Sequence, residues 1–229
     1  MNCHVCEYTY EYDSVRLFVC PRCGHGFRAF EGDPLHYHMN EYRSLFRRNQ
    51  NEFDGNGKPN KLFHKSRKGI VRKRKALVKK YLDKNDHCLD IGSGGGTFCR
   101  EIMKLVKSLE CIEVSHQLVE ECRRLGFVTY SNDFLNHEFN KTYDIVFAWH
   151  VLEHIKELKA FVHKALTLAR KYFILEIPYQ RGVPDTFDGH YHYFSMTSLR
   201  FLLGEKRILD MSAGVQNPAL FAVVRGYLG

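Results

Sequence analysis

Ten consecutive residues, Cys88-Leu89-Asp90-Ile91-Gly92-Ser93-Gly94-Gly95-Gly96-Thr97, do most to restrict what this chain can fold into. A short apolar strand ends in a carboxylate and runs directly into a loop with glycine at every second position. Such a junction belongs at the carboxyl end of the first strand of an α/β sheet, where bare backbone and one acid meet a nucleotide-like ligand. Glycine lets that backbone come close to the ligand and take up positive φ without a Cβ clash. A dinucleotide fingerprint requires G-x-G-x-x-G. Its third glycine position is occupied here by Thr97, so the loop departs from the NAD pattern.

The pattern beyond residue 69 agrees with an α/β sheet. Ile70, Leu77, Val78 and Tyr81 form one apolar stripe among Lys and Arg, which predicts an amphipathic helix. Strands are expected at 87–91, 109–114, 127–130, 143–148, 172–177, 207–211 and 220–224. Helices are expected at 97–108, 116–125, 156–169 and 196–203. Strands alternating with helices imply βαβ units and a parallel sheet.

The first thirty residues read differently. Cys3-x-x-Cys6 and Cys20-x-x-Cys23 are two knuckles separated by thirteen residues, with Gly24 permitting a tight turn. Four thiolates so spaced can surround one Zn²⁺ tetrahedrally. Strands are expected at 8–10 and 15–19, joined by an Asp13-Ser14 turn, which makes the unit a zinc ribbon. So short a unit cannot build a sufficient core, and metal would supply its folding free energy, about 10–16 kcal/mol in zinc-finger peptides. His4 and His25 stand beside the cysteines, but four thiolates already close the shell. Residues 31–60 carry a short helical pattern at Tyr42, Leu45 and Phe46 and then an Asn/Gly/Pro-rich loop, a candidate lid. The expected division is a ribbon at 1–30, a linker or lid at 31–69 and the α/β domain at 70–229.

Charge is concentrated. Residues 61–80 hold ten Lys or Arg and no Asp or Glu, more than the net charge of +8 for the whole chain. The block suits an acidic or phosphate-bearing partner, or a solvated helix face. There is no run of 18 apolar residues, so no membrane partner is expected. The remaining cysteines are scattered through strand and helix patterns, which suits a reducing, cytoplasmic setting with one metal site.

Residues 70–229 resemble class I S-adenosylmethionine (SAM) dependent methyltransferases, nearest the small-molecule branch that includes the ubiquinone-biosynthesis O-methyltransferases. Motif I is Asp90-Ile91-Gly92-Ser93-Gly94-Gly95-Gly96. Glu113, closing Cys111-Ile112-Glu113, stands where the family holds the ribose hydroxyls. Asp133 and Phe134 stand where it meets adenine. Tyr143-Asp144-Ile145-Val146 through Trp149-His150-Val151-Leu152-Glu153-His154-Ile155 matches the run D-x-V-x-x-x-x-V-L-E-H-I. His190 to Leu199 matches H-x-x-x-F-[ST]-x-x-[ST]-L. The resemblance implies a Rossmann-like seven-stranded sheet of order 3-2-1-4-5-7-6 with its last strand antiparallel. It also implies SAM as cofactor, held by Asp90, Gly92, Gly94, Gly96, Glu113, Asp133, Phe134 and Trp149. Plain structural roles compete for Asp133 (a turn cap), Asp144 (strand capping) and His154 (packing).

Methyl transfer from a sulfonium is an in-line displacement, dominated by alignment and exclusion of water. A base is needed only for a hydroxyl, ammonium or carbon acid. Trp149, His150, Tyr179, His190 and His192 stand where residues after strands 4 and 5 face the methyl. His150 or His190 is the candidate general base, with Glu153 behind them. The acceptor is expected to be small, possessing an O or N nucleophile and a sugar-like or phosphorylated character. Two alternatives stand beside it: a nucleic-acid methyltransferase using 61–80, and a non-catalytic methyltransferase-like binding subunit.

Overall fold

The computed structural model describes residues 2–9, 17–28, 61–179, 190–215 and 219–228, with backbone alone at 61–66 and 213. The expected lid helix around Tyr42, the Asp13-Ser14 turn and Tyr10 lie outside the described residues.

Seven strands form the main sheet: β3 (His87–Ile91), β4 (Ser108–Glu113), β5 (Val128–Ser131), β6 (Tyr143–Trp149), β7 (Ala169–Pro178), β9 (Ile208–Ala213) and β10 (Ala219–Arg225). Their order is β5-β4-β3-β6-β7-β10-β9. That is the expected 3-2-1-4-5-7-6, with β10 antiparallel to both neighbours. β6 is buried along its whole length, as a central strand covered on both faces must be. Alternate residues feed two cores. Leu89, Ile91, Val146 and Leu175 pack under α4 (Leu158–Leu168) and α5 (Met196–Leu203). Cys88, Ile145, Phe147 and Ile174 pack under α1 (Lys61–Val78) and α2 (Thr97–Ile102). α3 (His116–Arg124) adds Cys122 to the second core.

Parallel register aligns the carboxyl ends. Ile91 pairs with Ile112 and with Ala148, and Trp149 pairs with Glu176. Gly92, Val114 and His150 therefore leave the sheet along one edge, where an open α/β sheet binds its ligand.

Three expectations change. α1 starts at Lys61, inside the segment assigned to the linker, and its buried residues are Val71, Arg74 and Val78; Ile70 and Leu77 are only half-buried. The helix after the glycine loop ends at Ile102 and tightens into a 3₁₀ turn, Met103–Leu105. In the ribbon, β1 (Leu17–Val19) pairs across the second knuckle with β2 (Gly26–Arg28), while residue 9 makes only a single bridge to Asn2. β2 then pairs with β8 (His192–Tyr193), a strand of the larger domain. The ribbon's sheet thus takes its third strand from the segment that follows β7.

Candidate functional site

The glycine loop and Glu113 make one wall. Gly92, Gly94 and Gly96 all have positive φ, between 56° and 72°. At Gly92 a Cβ would also sit 2.7 Å from Val151 Cγ2, so no side chain fits. Glu113 crosses from the end of β4 to this loop: its Oε2 accepts from Gly94 N at 2.9 Å, and its Oε1 accepts from the backbone of Val114 and Ser115. Asp90 is wholly buried behind the loop. Its Oδ2 accepts from Cys99 Sγ at 3.0 Å, whereas Oδ1 has no partner. Burial pushes its carboxyl up to about 7. A glycine cradle and an orphaned buried oxygen fit a polar ligand at this edge.

Asp133 and Phe134 are placed differently. Asp133 Oδ1 accepts from Leu135 N and Asn136 N, so it caps its own turn. Phe134 is buried in the core against Phe161, with the Lys164 ammonium over its ring. Trp149 is buried edge-on to Phe98, at 4.7 Å between centroids, and lies beneath the Arg74 guanidinium at 4.9 Å. The contacts of Asp133 are those of a turn cap, and Phe134 and Trp149 belong to the two cores.

His150 leaves β6 with φ of 56°, a conformation uncommon outside glycine. It is held by two carboxylates: Nε2 lies 3.0 Å from Glu176 Oε1, and Nδ1 lies 3.3 Å from Glu153 Oε1. Burial alone would lower its pKa, but the neighbouring carboxylates of Glu153 and Glu176 outweigh that and raise it to about 9. An imidazole kept protonated near neutrality is a poor proton acceptor, which speaks against the expected base role of His150.

Glu176 is the residue the sequence reading missed. It has no exposed surface, and it accepts from Arg74 Nε at 3.1 Å, from His150 and from Val215 N at 2.6 Å. A lone acid inside the apolar run Tyr172–Ile177 was the available signal, since a buried charge needs partners. The pairing spends part of the basic block internally: Arg74 meets Glu176, Lys75 meets Glu101 and Lys80 meets Asp210.

His192 turns away from the sheet edge. It is buried against the ribbon, with Nδ1 3.1 Å from His25 Nε2, and burial holds it neutral well below the usual range. His190 stays beside His154, ring centroids 4.8 Å apart. Tyr179 makes a single parallel bridge to Phe194.

The four ribbon cysteines converge. Cys3 and Cys23 sulfurs are 3.6 Å apart, Cys6 and Cys20 sulfurs are 3.7 Å apart, and all four lie within 4.8 Å of one another. A tetrahedron with Zn–S of ~2.3 Å has edges of ~3.8 Å, so the cluster is compatible with a zinc ribbon. No helix among the described residues is long and apolar enough to cross a membrane.

Comparison with known proteins follows the same lines. Magnesium protoporphyrin IX methyltransferase from Synechocystis, solved with bound SAH, superposes with a TM-score of 0.64 at 18% identity, covering 85% of this chain and 100% of that one. DesVI from Streptomyces venezuelae gives 0.58 at 12% identity over 72% of this chain and 96% of that one. A Haloferax volcanii methyltransferase described as putative, in complex with the activator Trm112, gives 0.62 at 10% identity over 86% and 99%. At such identities the likeness is one of fold. No curated protein matches the sequence. The profile of the family described as "Methyltransferase domain" matches residues 62–212, well over half of the chain, and the protein is therefore an enzyme of the methyltransferase domain family.

Proposed function

We propose that this enzyme transfers a methyl group from SAM to an oxygen or nitrogen nucleophile of a small acceptor bound at the carboxyl edge of the sheet. The observation that carries the reading is the wall formed by the glycine loop and Glu113, tied together through Gly94 N and Glu113 Oε2. The Synechocystis enzyme, whose name gives magnesium protoporphyrin IX as its acceptor and whose structure holds SAH, supports both parts by analogy of fold.

When bound, SAM supplies a methyl on a positively charged sulfur. Asp90 sits behind the loop, the loop offers backbone around Gly92 and Gly94, and Glu113 supplies the acid that would receive ribose hydroxyls. Rearrangement of the Gly94 bond would free one of its oxygens for that purpose. Asp133 and Phe134 would shape this end of the site through the turn they stabilise, and Trp149 would serve as its apolar floor. Alignment and dryness carry most of the rate in such a displacement. His150 we assign to positioning, since its two carboxylate partners fix the turn that leaves β6. His190, with His154, is the imidazole left toward the acceptor. In the ribbon, Zn²⁺ on Cys3, Cys6, Cys20 and Cys23 would have a structural role. A nucleic-acid acceptor is less well supported, because Arg74, Lys75 and Lys80 are already paired within the chain.

Calorimetry with SAM and SAH on zinc-loaded protein tests the reading. Micromolar binding is expected in the wild type, with a loss of about tenfold or more in Glu113→Ala, the cost of one charge-assisted contact. Equal affinity in the variant would remove Glu113 from the cofactor site.

A further inference from the structure

A second group of metal-ligating side chains lies outside the ribbon. Glu153, His154 and His190 each present one ligand atom, and these atoms all fall within 4.8 Å of one another. Glu153 and His154 come from the 3₁₀ turn Leu152–His154 that follows β6. His190 lies just before β8, and its neighbour ties that stretch to the turn, since Tyr191 N donates to Glu153 O at 2.8 Å. Two separate stretches of chain are thus locked together with their donors converging.

Glu153 is what makes the cluster more than a chance meeting of polar groups. It is 1% exposed, and neither carboxylate oxygen has a hydrogen bond. The nearest side-chain nitrogens are His150 Nδ1 at 3.3 Å, on a ring shared with Glu176, and His154 Nε2 at 3.9 Å. Two buried carboxylate oxygens without a hydrogen bond, beside the imidazoles of His154 and His190, suit a bound cation.

We propose that Glu153, His154 and His190 form a second metal site, distinct from the cysteine site, that takes a divalent first-row transition ion and leaves positions open for an acceptor oxygen. One carboxylate and two imidazoles suit Mn²⁺, Fe²⁺, Co²⁺ or Zn²⁺ better than Ca²⁺ or Mg²⁺, which favour all-oxygen shells. Three protein ligands leave the ion unsaturated, as at catalytic metal sites. His150, held against both Glu153 and Glu176, fixes the carboxylate from behind, as outer-shell partners do. Resting on the methyltransferase reading above, the site narrows the acceptor to a hydroxyl compound whose oxygen is both ligand and nucleophile.

The experiment uses the full chain with its cysteine site loaded with zinc, titrated with Mn²⁺ and followed by loss of the free-ion electron paramagnetic resonance signal. Mn²⁺ is a poor competitor for thiolates, so it reports on the new site alone. One bound Mn²⁺ per chain is expected. His190→Ala and His154→Ala should each weaken it about tenfold or more, and His190→Asp, which keeps a ligand, should hold part of it. Melting curves on the His190 variants establish that the fold is retained. Absence of Mn²⁺ binding by the folded wild type, or equal binding by folded His190→Ala, overturns the site. SAM calorimetry on the same samples separates the two readings. SAM binding without Mn²⁺ binding overturns the metal site alone. Mn²⁺ binding without SAM binding supports the metal site and overturns the cofactor assignment.

Discussion

Glu110 draws three partners to one carboxylate: Lys141 Nζ at 2.5 Å and the hydroxyls of Tyr130 and Tyr143, each at 2.9 Å. Burial pushes its pKa up, but Lys141 and the two hydroxyls outweigh it and leave the group below the usual range. A folded pKa below the unfolded one means stabilisation that is present above about pH 4.3 and is lost as the pH falls through the folded value. Glu110→Gln should cost about 1–3 kcal/mol at pH 7. The gap from wild type should shrink toward pH 3, read by urea denaturation at both pH values. A gap that stays constant would show that the carboxylate charge plays no part. Residues of this kind also mark the limit of reading from sequence. Asp90, Gly92, Gly94 and Glu113 were legible because strand, acid and loop are contiguous or one crossover apart. Glu176 was not legible as a hub, because its partners lie far away in sequence: Arg74 is 102 residues from it. His192 read as an active-site histidine because it follows β7, yet the ribbon buries it against His25.

At the level of elements, the main strands were legible because each is a short apolar run bounded by polar turns, and the sheet order followed from the family resemblance. What local pattern could not supply was β8. Two residues, His192 and Tyr193, become a strand only because β2 lies alongside them. Ser195 secures the same junction. Its Oγ donates to Cys23 O at 2.6 Å and accepts from Ser198 N at 3.0 Å, capping α5 in a reciprocal box with the Ser198 hydroxyl. One hydroxyl therefore serves both the helix and the second cysteine knuckle. Ser195→Ala should destabilise the protein by about 1–2 kcal/mol, the worth of a good N-cap. It should also speed amide hydrogen exchange in β1 and β2, measured by mass spectrometry on peptides covering residues 17–28. Faster exchange in α5 with an unchanged ribbon would mean that the bond to Cys23 O contributes nothing to docking.

The whole molecule couples a small four-cysteine unit to one end of a larger sheet. The ribbon's described residues bury little beyond Cys3, Val5, Phe18, Cys20 and Cys23. So small a core leaves metal binding to supply its folding free energy. One of the two cores of the seven-stranded sheet also takes in Cys3, Val5, Cys20 and Cys23, but the rest of it, from Leu89 to Val224, and all of the other core belong to the sheet and its helices. Stripping zinc with a chelator should therefore unfold the ribbon while the main sheet keeps its melting transition. The consequences for function should divide along the sheet edge. Glu113 and the glycine loop, at the ends of β4 and β3, receive nothing from the ribbon, so SAM affinity should change less than about threefold. His190 precedes the strand that pairs with β2, so losing the ribbon frees the segment carrying it. Turnover and Mn²⁺ affinity should then fall together. SAM calorimetry and Mn²⁺ titration on zinc-free protein check this directly. If SAM binding were lost along with zinc, ribbon and sheet would be one cooperative unit, and docking through β8 would reach across β6 and β3 to the cofactor wall.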